Sequence, residues 1–322
     1  MTLTVIVVAT TLTQTKKTVL QVPTTVWTPR LKEELQARLR SCLKLSPDCS
    51  KGVHGPIGSW DVSALEDMSK LFDTRKVFSA SLFNGDISQW DVSRVTNMED
   101  FFHYASSFNG DLSLWDVAKV STMENMFYSA SSFNSDISKW VVSGVTNMED
   151  MFYSASSFNG NLSGWDVSSV TNMLGMFAGA SAFNRDISEW EVSSVTNMED
   201  MFYYASSFNG DISKWDVSRV TNMKDMFYYA SAFNIDISKW DVARVTTMSE
   251  MFFGASSFAH LLCGLWLISK AEKQNMYGNA PERMCTAISN SKTIPMRTLT
   301  INVTDYNDDS DPKPARLQLD FC

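Results

Sequence analysis

Histidine is scarce in this sequence, and the residues that usually carry chemistry are not grouped. The three histidines, His54, His103 and His260, lie far apart, without the close spacing of zinc ligands. Histidine is also the side chain most suited to proton transfer near neutral pH. No nucleophile, base and orienting group stand together. The sequence therefore predicts no catalytic residue, no bound metal and no cofactor, and we expect the protein not to be an enzyme.

Basic residues and long apolar stretches are also lacking. The chain has 27 Lys and Arg against 36 Asp and Glu, a formal net charge of −9, which is the wrong sign for a phosphate-binding surface. No stretch reaches the roughly 18 apolar residues of a membrane-spanning helix. Nucleic acid partners and membrane spans are therefore not expected. The apolar residues that begin segment 1–27 make it a candidate signal peptide, although a basic first part is lacking.

Cysteine is absent from the middle of the chain and flanks it on both sides. In an oxidising compartment the shortest loops would pair Cys42 with Cys49 and Cys263 with Cys285. Spacing alone cannot determine which cysteines are paired, and this pairing would leave Cys322 without a partner. The alternative is a cytosolic protein with free thiols. The paired arrangement predicts an extracellular or cell-surface location.

A repeat of 25 residues dominates the sequence from position 83 onward. An earlier copy around Trp60 is set apart by a five-residue insertion near Asp73, and Trp266 marks a degenerate last copy. Self-similarity at this period indicates stacked units, none of which can bury its apolar face alone. Tryptophan shows the period most clearly, at Trp90, Trp115, Trp140, Trp165, Trp190, Trp215 and Trp240.

Each repeat predicts a strand followed by a helix. Ile87, Trp90, Val92 and Val95 have the spacing of a leucine-rich-repeat strand, so alternate side chains such as Trp90 and Val92 should point inward. The next apolar residues, from Met98 to Ala105, have helical spacing, and they follow a capping-box sequence, Thr-Asn-Met-Glu. The predicted fold is α/β, a leucine-rich-repeat-like solenoid with one short parallel strand and one short helix per repeat.

Five segments follow from this pattern. Thr28-Pro29 and a stripe of leucines predict a capping helix before the repeats, and two short alternating runs near the C-terminus suggest the start of a further β domain. In order they are a signal-peptide candidate (1–27), an N-terminal helical cap (28–59), eight repeats of a solenoid (60–258), a degenerate C-terminal cap repeat (259–286) and a tail (287–322).

The repeat motif resembles a known family. The run W-D-V-S-x-V-T-N-M-x-x-M-F, together with F-N-x-D-I-S, over about residues 56–258 is similar to the BspA-like leucine-rich-repeat surface proteins, which include mycoplasma lipoprotein repeats of unknown function. The resemblance implies a leucine-rich-repeat-like solenoid on a cell surface or in a secreted protein. It also implies adhesion or recognition rather than a reaction.

Two columns of residues are candidates for a binding face. An acidic column follows the tryptophans, and we expect it to be the stronger candidate because close-spaced strands would carry it beside a variable column. An aromatic column, placed about 150° from the inward face of the predicted helix, should face solvent. The alternatives are a solvated acidic face and tyrosines that pack sideways. The candidate residues are Asp166, Glu191, Asp216 and Asp241 in the first column, and Tyr203, Tyr228 and Phe253 in the second.

The sequence leaves three classes of function open. The first is a non-catalytic module that recognises a protein or a glycan through a face of the solenoid. The second is a self-associating structural protein of a surface or an extracellular matrix. An enzyme is the third, and the scarcity of acid–base groups places it last.

Overall fold

The computed structural model describes residues 26–278, which belong to the first of two units of the chain, residues 1–285. Its helices are α1 (Lys32–Leu43) and α2 (Leu265–Ile268), with 3-10 helices at Ile57–Ser59 and Phe78–Leu82. None of the described helices is long and apolar enough to cross a membrane. The predicted signal peptide, apart from its last two residues, and the predicted C-terminal tail lie outside the described residues.

Helix α1 confirms the helix predicted before the repeats, but not its start. Leu31 is the N-cap, without a side-chain cap, and Thr28 instead donates its hydroxyl proton to Asp61. Leu35 and Leu39 are fully buried, because residues four apart share one face of a helix. The predicted disulfide between Cys42 and Cys49 is present and joins the end of α1 to the following turns.

The repeats contain neither the predicted helix nor the predicted strand. Between Phe83 and Gly264 the structure has turns and single parallel bridges instead. The amide of Met98 donates to the carbonyl of Thr122 in the next repeat (3.2 Å), and the amides two, four and six residues further on continue this pattern. Successive repeats are thus joined by backbone hydrogen bonds. The bridges pair Asp67 with Asn97, Asn97 with Thr122, Thr122 with Asn147, Asn147 with Asn172, Asn172 with Asn197, Asn197 with Asn222, Asn222 with Thr247, and Thr247 with Glu272.

Left-handed backbone explains why the predicted helix does not form. Asp100 and Tyr104 have φ values of 55° and 60°, and an L-residue in this conformation interrupts an α-helix. Between them the amides of Phe101 and His103 bond three residues back, to Met98 and Asp100 (both 3.2 Å), while that of Phe102 bonds to Met126 of the next repeat. Asn, Asp and Gly tolerate the left-handed region best, and they fill most of the first of these positions. That column consists of Asp100, Asn125, Asp150, Gly175, Asp200, Asp225 and Glu250.

The inward and outward phase predicted around each tryptophan is correct, although the segment is not a strand. Trp90 and Val92 are buried and Asp91 is exposed. Each indole N–H from Trp90 to Trp240 donates to the backbone carbonyl 28 or, at Trp90, 33 residues earlier, at 3.0–3.2 Å. The tryptophan column therefore belongs to the core and satisfies its polar atom there, as buried indoles generally do.

Phenylalanine rings and asparagine side chains also repeat from one unit to the next. The rings of Phe127, Phe152 and Phe177 stack with centroids 5.6–5.7 Å apart. At the turn that ends each unit, the Asn84 side-chain oxygen accepts from the amide of Asn109 (2.9 Å), and the same bond recurs in later repeats. This ladder of asparagines satisfies backbone amides that would otherwise lack a partner.

Candidate functional site

The acidic column lies at the surface and caps turns. Asp166, Asp216 and Asp241 are exposed, and each accepts a hydrogen bond of 3.0–3.1 Å from the amide two residues later. The hydroxyl and amide of Ser218 lower the pKa of Asp216, so this carboxylate is charged at neutral pH. Glu191 is exposed as well. Turn capping by aspartate accounts for this residue type in most repeats.

The acidic residues do not gather into a metal site within the part of the chain that the structure describes. No three His, Cys, Asp or Glu side chains between residues 26 and 278 converge as a set of ligands. The second column of aspartates, at Asp86 and its equivalents, also caps turns, since Asp86 accepts from the amide of Ser88 at 3.0 Å. Both columns fit the role of short polar side chains in turns.

The aromatic column is less exposed than predicted. Tyr203, Tyr228 and Phe253 are only partly exposed, and their rings stack at 5.0 Å from one repeat to the next. At the equivalent position His103 is buried. The predicted angle of 150° assumed a helix, and the observed turns rotate these side chains toward their neighbours. The aromatic side chains of this column thus pack sideways on one another, which was the alternative interpretation of the sequence.

Two other tyrosines, each one residue after a member of the aromatic column, are more exposed and were not predicted as candidate binding residues. Tyr204 and Tyr229 are 45% and 40% exposed, both at left-handed backbone positions, and their rings stack at 4.9 Å. Together with the three rings of the first column they form one continuous surface across successive repeats. We call this surface the tyrosine patch, and it consists of Tyr203, Tyr204, Tyr228, Tyr229 and Phe253.

Carboxylates adjoin the tyrosine patch. Burial, the neighbouring tyrosines and Asp200 raise the pKa of Tyr203. Burial, the neighbouring tyrosines, Glu250 and Asp225 raise the pKa of Tyr228. Of these acids Asp225 has an ion pair, with Lys224 at 2.9 Å. The surroundings of the patch therefore carry a surplus of negative charge.

Two aspartates of the left-handed column, Asp150 and Asp200, have raised pKa values. Burial and nearby carboxylates, including Glu149 and Asp200, raise the pKa of Asp150 to about 7. The pKa of Asp200 rises to about 6 for the same reasons, with Asp225 as the first of its charged neighbours. The Oδ1 atoms of both side chains are buried without a hydrogen-bond partner. Desolvation disfavours the charged form in such a place.

A buried network of charges lies where the five-residue insertion interrupts the repeats. Asp73 is fully buried and accepts from Arg75 Nε through both oxygens, at 2.9 and 3.1 Å. Arg75 Nη2 lies 2.7 Å from Asp100 Oδ2. His103 is placed between the two acids, with Nδ1 3.5 Å from Asp73 and Nε2 3.8 Å from Asp100. Burial opposes ionisation of Asp73, yet His103 and Arg75 lower its pKa to about 2.

These features define a protein built of 25-residue repeats that are joined by parallel bridges and carry regular surface columns. The family model described as "Mycoplasma protein of unknown function, DUF285" matches residues 42–165, 135–228, 158–265 and 186–291. The chain belongs to this family. No curated protein and no solved structure matches the chain. The family description assigns no activity, so function has to be argued from the surface.

Proposed function

We propose that this protein is a non-catalytic recognition module of a cell surface or a secreted protein, and that it binds a partner protein through the tyrosine patch. The observation that carries the proposal is the continuity of exposed aromatic rings over three successive repeats. Tyrosine supplies apolar area and a hydrogen-bonding hydroxyl while losing little side-chain entropy. A rigid repeated backbone beneath such rings is suited to recognition.

Ring geometry favours a protein over a sugar at the tyrosine patch. Tyr203 and Tyr228 stack with their planes only 13° apart, and the ring of Tyr229 lies over Gly254, where a Cβ would come within 2.7 Å of it. Neighbours on both sides therefore cover the ring faces of Tyr228 and Tyr229 that a sugar would stack on, and their edges and hydroxyls remain for contact. Because Asp200, Asp225 and Glu250 adjoin the patch, we expect a partner surface that carries Lys or Arg.

We also propose that the repeats form a leucine-rich-repeat-like solenoid and that the protein lies outside the cytosol. Backbone bonds that join each repeat to the next support a solenoid, and the family resemblance supports a leucine-rich-repeat-like one. The disulfide between Cys42 and Cys49 supports an oxidising compartment, since such bonds are rare in the cytosol. Cys263 is disulfide-bonded as well, while its predicted partner, Cys285, lies outside the described residues.

Paired variants test which surface binds. Tyr204→Ser with Tyr229→Ser should abolish binding to partners selected from an array of extracellular proteins, because serine removes ring area without changing charge. Serine already occupies the equivalent left-handed positions, at Ser129 and Ser154, so the fold should tolerate it. Affinity would be measured by surface plasmon resonance, and we expect a loss of at least about tenfold.

Charge reversal of the acidic column is the matched experiment. Glu191→Lys, Asp216→Lys and Asp241→Lys together should leave binding within about threefold, because all three residues are exposed charges outside the tyrosine patch. If the reversal abolishes binding and the tyrosine variant does not, the acidic column is the recognition surface and the proposal is wrong.

Self-association is the second candidate, and exposed apolar residues favour it. Leu265 and Ile268 of α2 are 41% and 72% exposed, and Leu261 nearby is 57% exposed. Apolar groups of this kind often mark contacts between proteins. Light scattering over a hundredfold range of protein concentration distinguishes the two candidates. A mass that grows with concentration supports assembly, and a constant monomer mass with a bound partner supports recognition.

A further inference from the structure

The five-residue insertion opens a cleft in the otherwise regular surface. The cleft measures about 610 Å³ and is lined by Thr74, Arg75, Ser81, Tyr104 and Ser106. Its volume lies within the range of small-ligand sites. Three hydroxyl side chains, one guanidinium and one exposed aromatic ring therefore border a single shallow cleft that is open to solvent. The cleft is separate in the chain from the tyrosine patch.

Arg75 is held in place before any ligand arrives. Asp73 is fully buried and binds its Nε, while Asp100, also buried, binds Nη2 at 2.7 Å. The Arg75 side chain as a whole is nevertheless 51% exposed. Arginine carries five N–H donors, so donors remain that face the cleft. A fixed donor loses little entropy when it binds.

Tyr104 is the exposed ring that borders the cleft, and no ring of its own column stacks on it. Its side chain is 43% exposed, and its equivalents in the neighbouring repeats are Thr74 and Ser129, neither of which carries a ring. His103 meets it edge-on and Tyr128 is tilted by 59°. The face on the Thr74 side of the ring borders the cleft. An uncovered aromatic face beside hydrogen-bonding groups favours a ligand with one apolar and one polar side.

Charge narrows the class of ligand. Lys70 and Arg75 are the cations of this network, and Glu99, Asp73 and Asp100 are its acids. Because the acids already neutralise both cations, an anionic ligand gains little. A cationic ligand would meet the exposed guanidinium of Arg75. A neutral ligand with many hydroxyl groups neither needs an unpaired cation nor is repelled by the guanidinium of Arg75.

We infer that the cleft between Thr74 and Ser106 is a carbohydrate site that takes one neutral pyranose residue. The C–H face of the sugar packs on the ring of Tyr104, and its hydroxyls accept from Arg75 and exchange hydrogen bonds with Thr74, Ser81 and Ser106. The inference goes beyond the proposed function, because the protein partner is assigned to other residues. Either assignment can fail without the other.

Saturation-transfer NMR tests the inference with methyl glycosides of glucose, galactose, mannose and N-acetylglucosamine and with their β-linked trimers. We expect transfer from the protein to at least one of them, strongest at the C–H protons of one ring face. Tyr104→Ser should weaken the apparent Kd at least about tenfold. Tyr229→Ser, the same change in the same column of another repeat, should leave it unaltered and serves as the control.

Arg75→Lys gives a second measurement in case Tyr104→Ser perturbs the fold, which thermal melting would reveal. Lysine keeps the charge between Asp73 and Asp100 but removes the fixed fork of donors, so we expect sugar affinity to fall at least about threefold. The inference is overturned if no sugar of the panel shows transfer at millimolar concentration. It is equally overturned if Tyr104→Ser and Arg75→Lys, both folded, bind as the unmodified protein does.

Discussion

Replacing Trp165 with alanine is expected to lower the free energy of unfolding by about 3–5 kcal/mol, the range for large buried aromatic residues. Trp165 is 4% exposed, stacks on Trp140 at 6.4 Å and donates its indole N–H to the carbonyl of Ile137 at 3.2 Å. The change would leave a cavity in the middle of the repeats and remove one of the two hydrogen bonds that the Ile137 carbonyl accepts, the other coming from the amide of Trp140. Neighbouring repeats are bonded on both sides, so the cavity cannot close by local collapse.

Asp166→Ala is the matched control for this experiment, one residue further along the chain. Asp166 is exposed and loses only its bonds to the amide and hydroxyl of Ser168 (3.1 and 2.6 Å). We expect a cost of about 0.5–1.5 kcal/mol. Urea denaturation followed by tryptophan fluorescence and circular dichroism gives both values. Equal effects of the two changes would contradict the assignment of Trp165 to the core and Asp166 to the surface.

The sequence sufficed to predict the core, because burial repeats along the chain with the repeat itself. The positions of Trp90 and Val92, which lie two residues apart, are apolar in every regular repeat. The position between them is polar in nearly all of these repeats. Any extended or gently turning segment places such residues on opposite sides. The inward phase was therefore correct even though turns, not a strand, occupy this segment.

The predicted helix failed because two conformations fit the same apolar spacing. Met98, Phe101, Phe102 and Ala105 share one side of a helix, but turns closed by bonds three residues back bury the same four residues. Periodicity alone cannot separate these conformations. The column that includes Asp100, Asn125 and Gly175 carried the missing signal, since these residue types favour left-handed backbone.

The surface was harder to predict than the core. Tyr204 and Tyr229 are exposed only because the turns shift the outward position by one residue from the column that a helix would expose. The buried network around His103 needs Asp73, which belongs to the insertion and thus lies outside the repeat pattern. The repeat period does not show where inserted residues lie relative to the repeats. Neither the buried charge network nor the cleft beside the insertion could therefore be predicted from the sequence.

Asp150 provides a prediction about pH with a definite sign. Its pKa is about 7 in the folded protein against the ordinary 3.8 of an aspartate side chain, so between these values the folded state keeps a proton that the unfolded chain releases. Stability contributed by this group is fully present below about pH 4 and is lost as the pH rises toward 7. The cause is structural, because Asp150 Oδ1 lies 1.9 Å from where a Cβ at Gly175 would be, is buried and has no hydrogen-bond partner.

Asp150→Asn is therefore expected to stabilise the protein at pH 8 by on the order of 1–2 kcal/mol, after allowance for solvent screening. The amide carries no charge to desolvate, and Asn125 already occupies the equivalent left-handed position in the preceding repeat. Urea midpoints at half-unit steps from pH 4 to 8 would measure the difference between the variant and the unmodified protein.

That difference should be smallest at pH 4, grow as the pH rises toward 7, and level off above it, where Asp150 is ionised in both states. Asp166→Asn is the control, because the hydroxyl and amide of Ser168 lower the pKa of Asp166. The contribution of Asp166 is present above the pKa of the unfolded chain and is lost only as the pH falls below about 4. Its variant should show no trend between pH 5 and 8. A flat difference for Asp150→Asn over the same range would mean that this carboxyl is ionised throughout, and that the folded protein tolerates its charge.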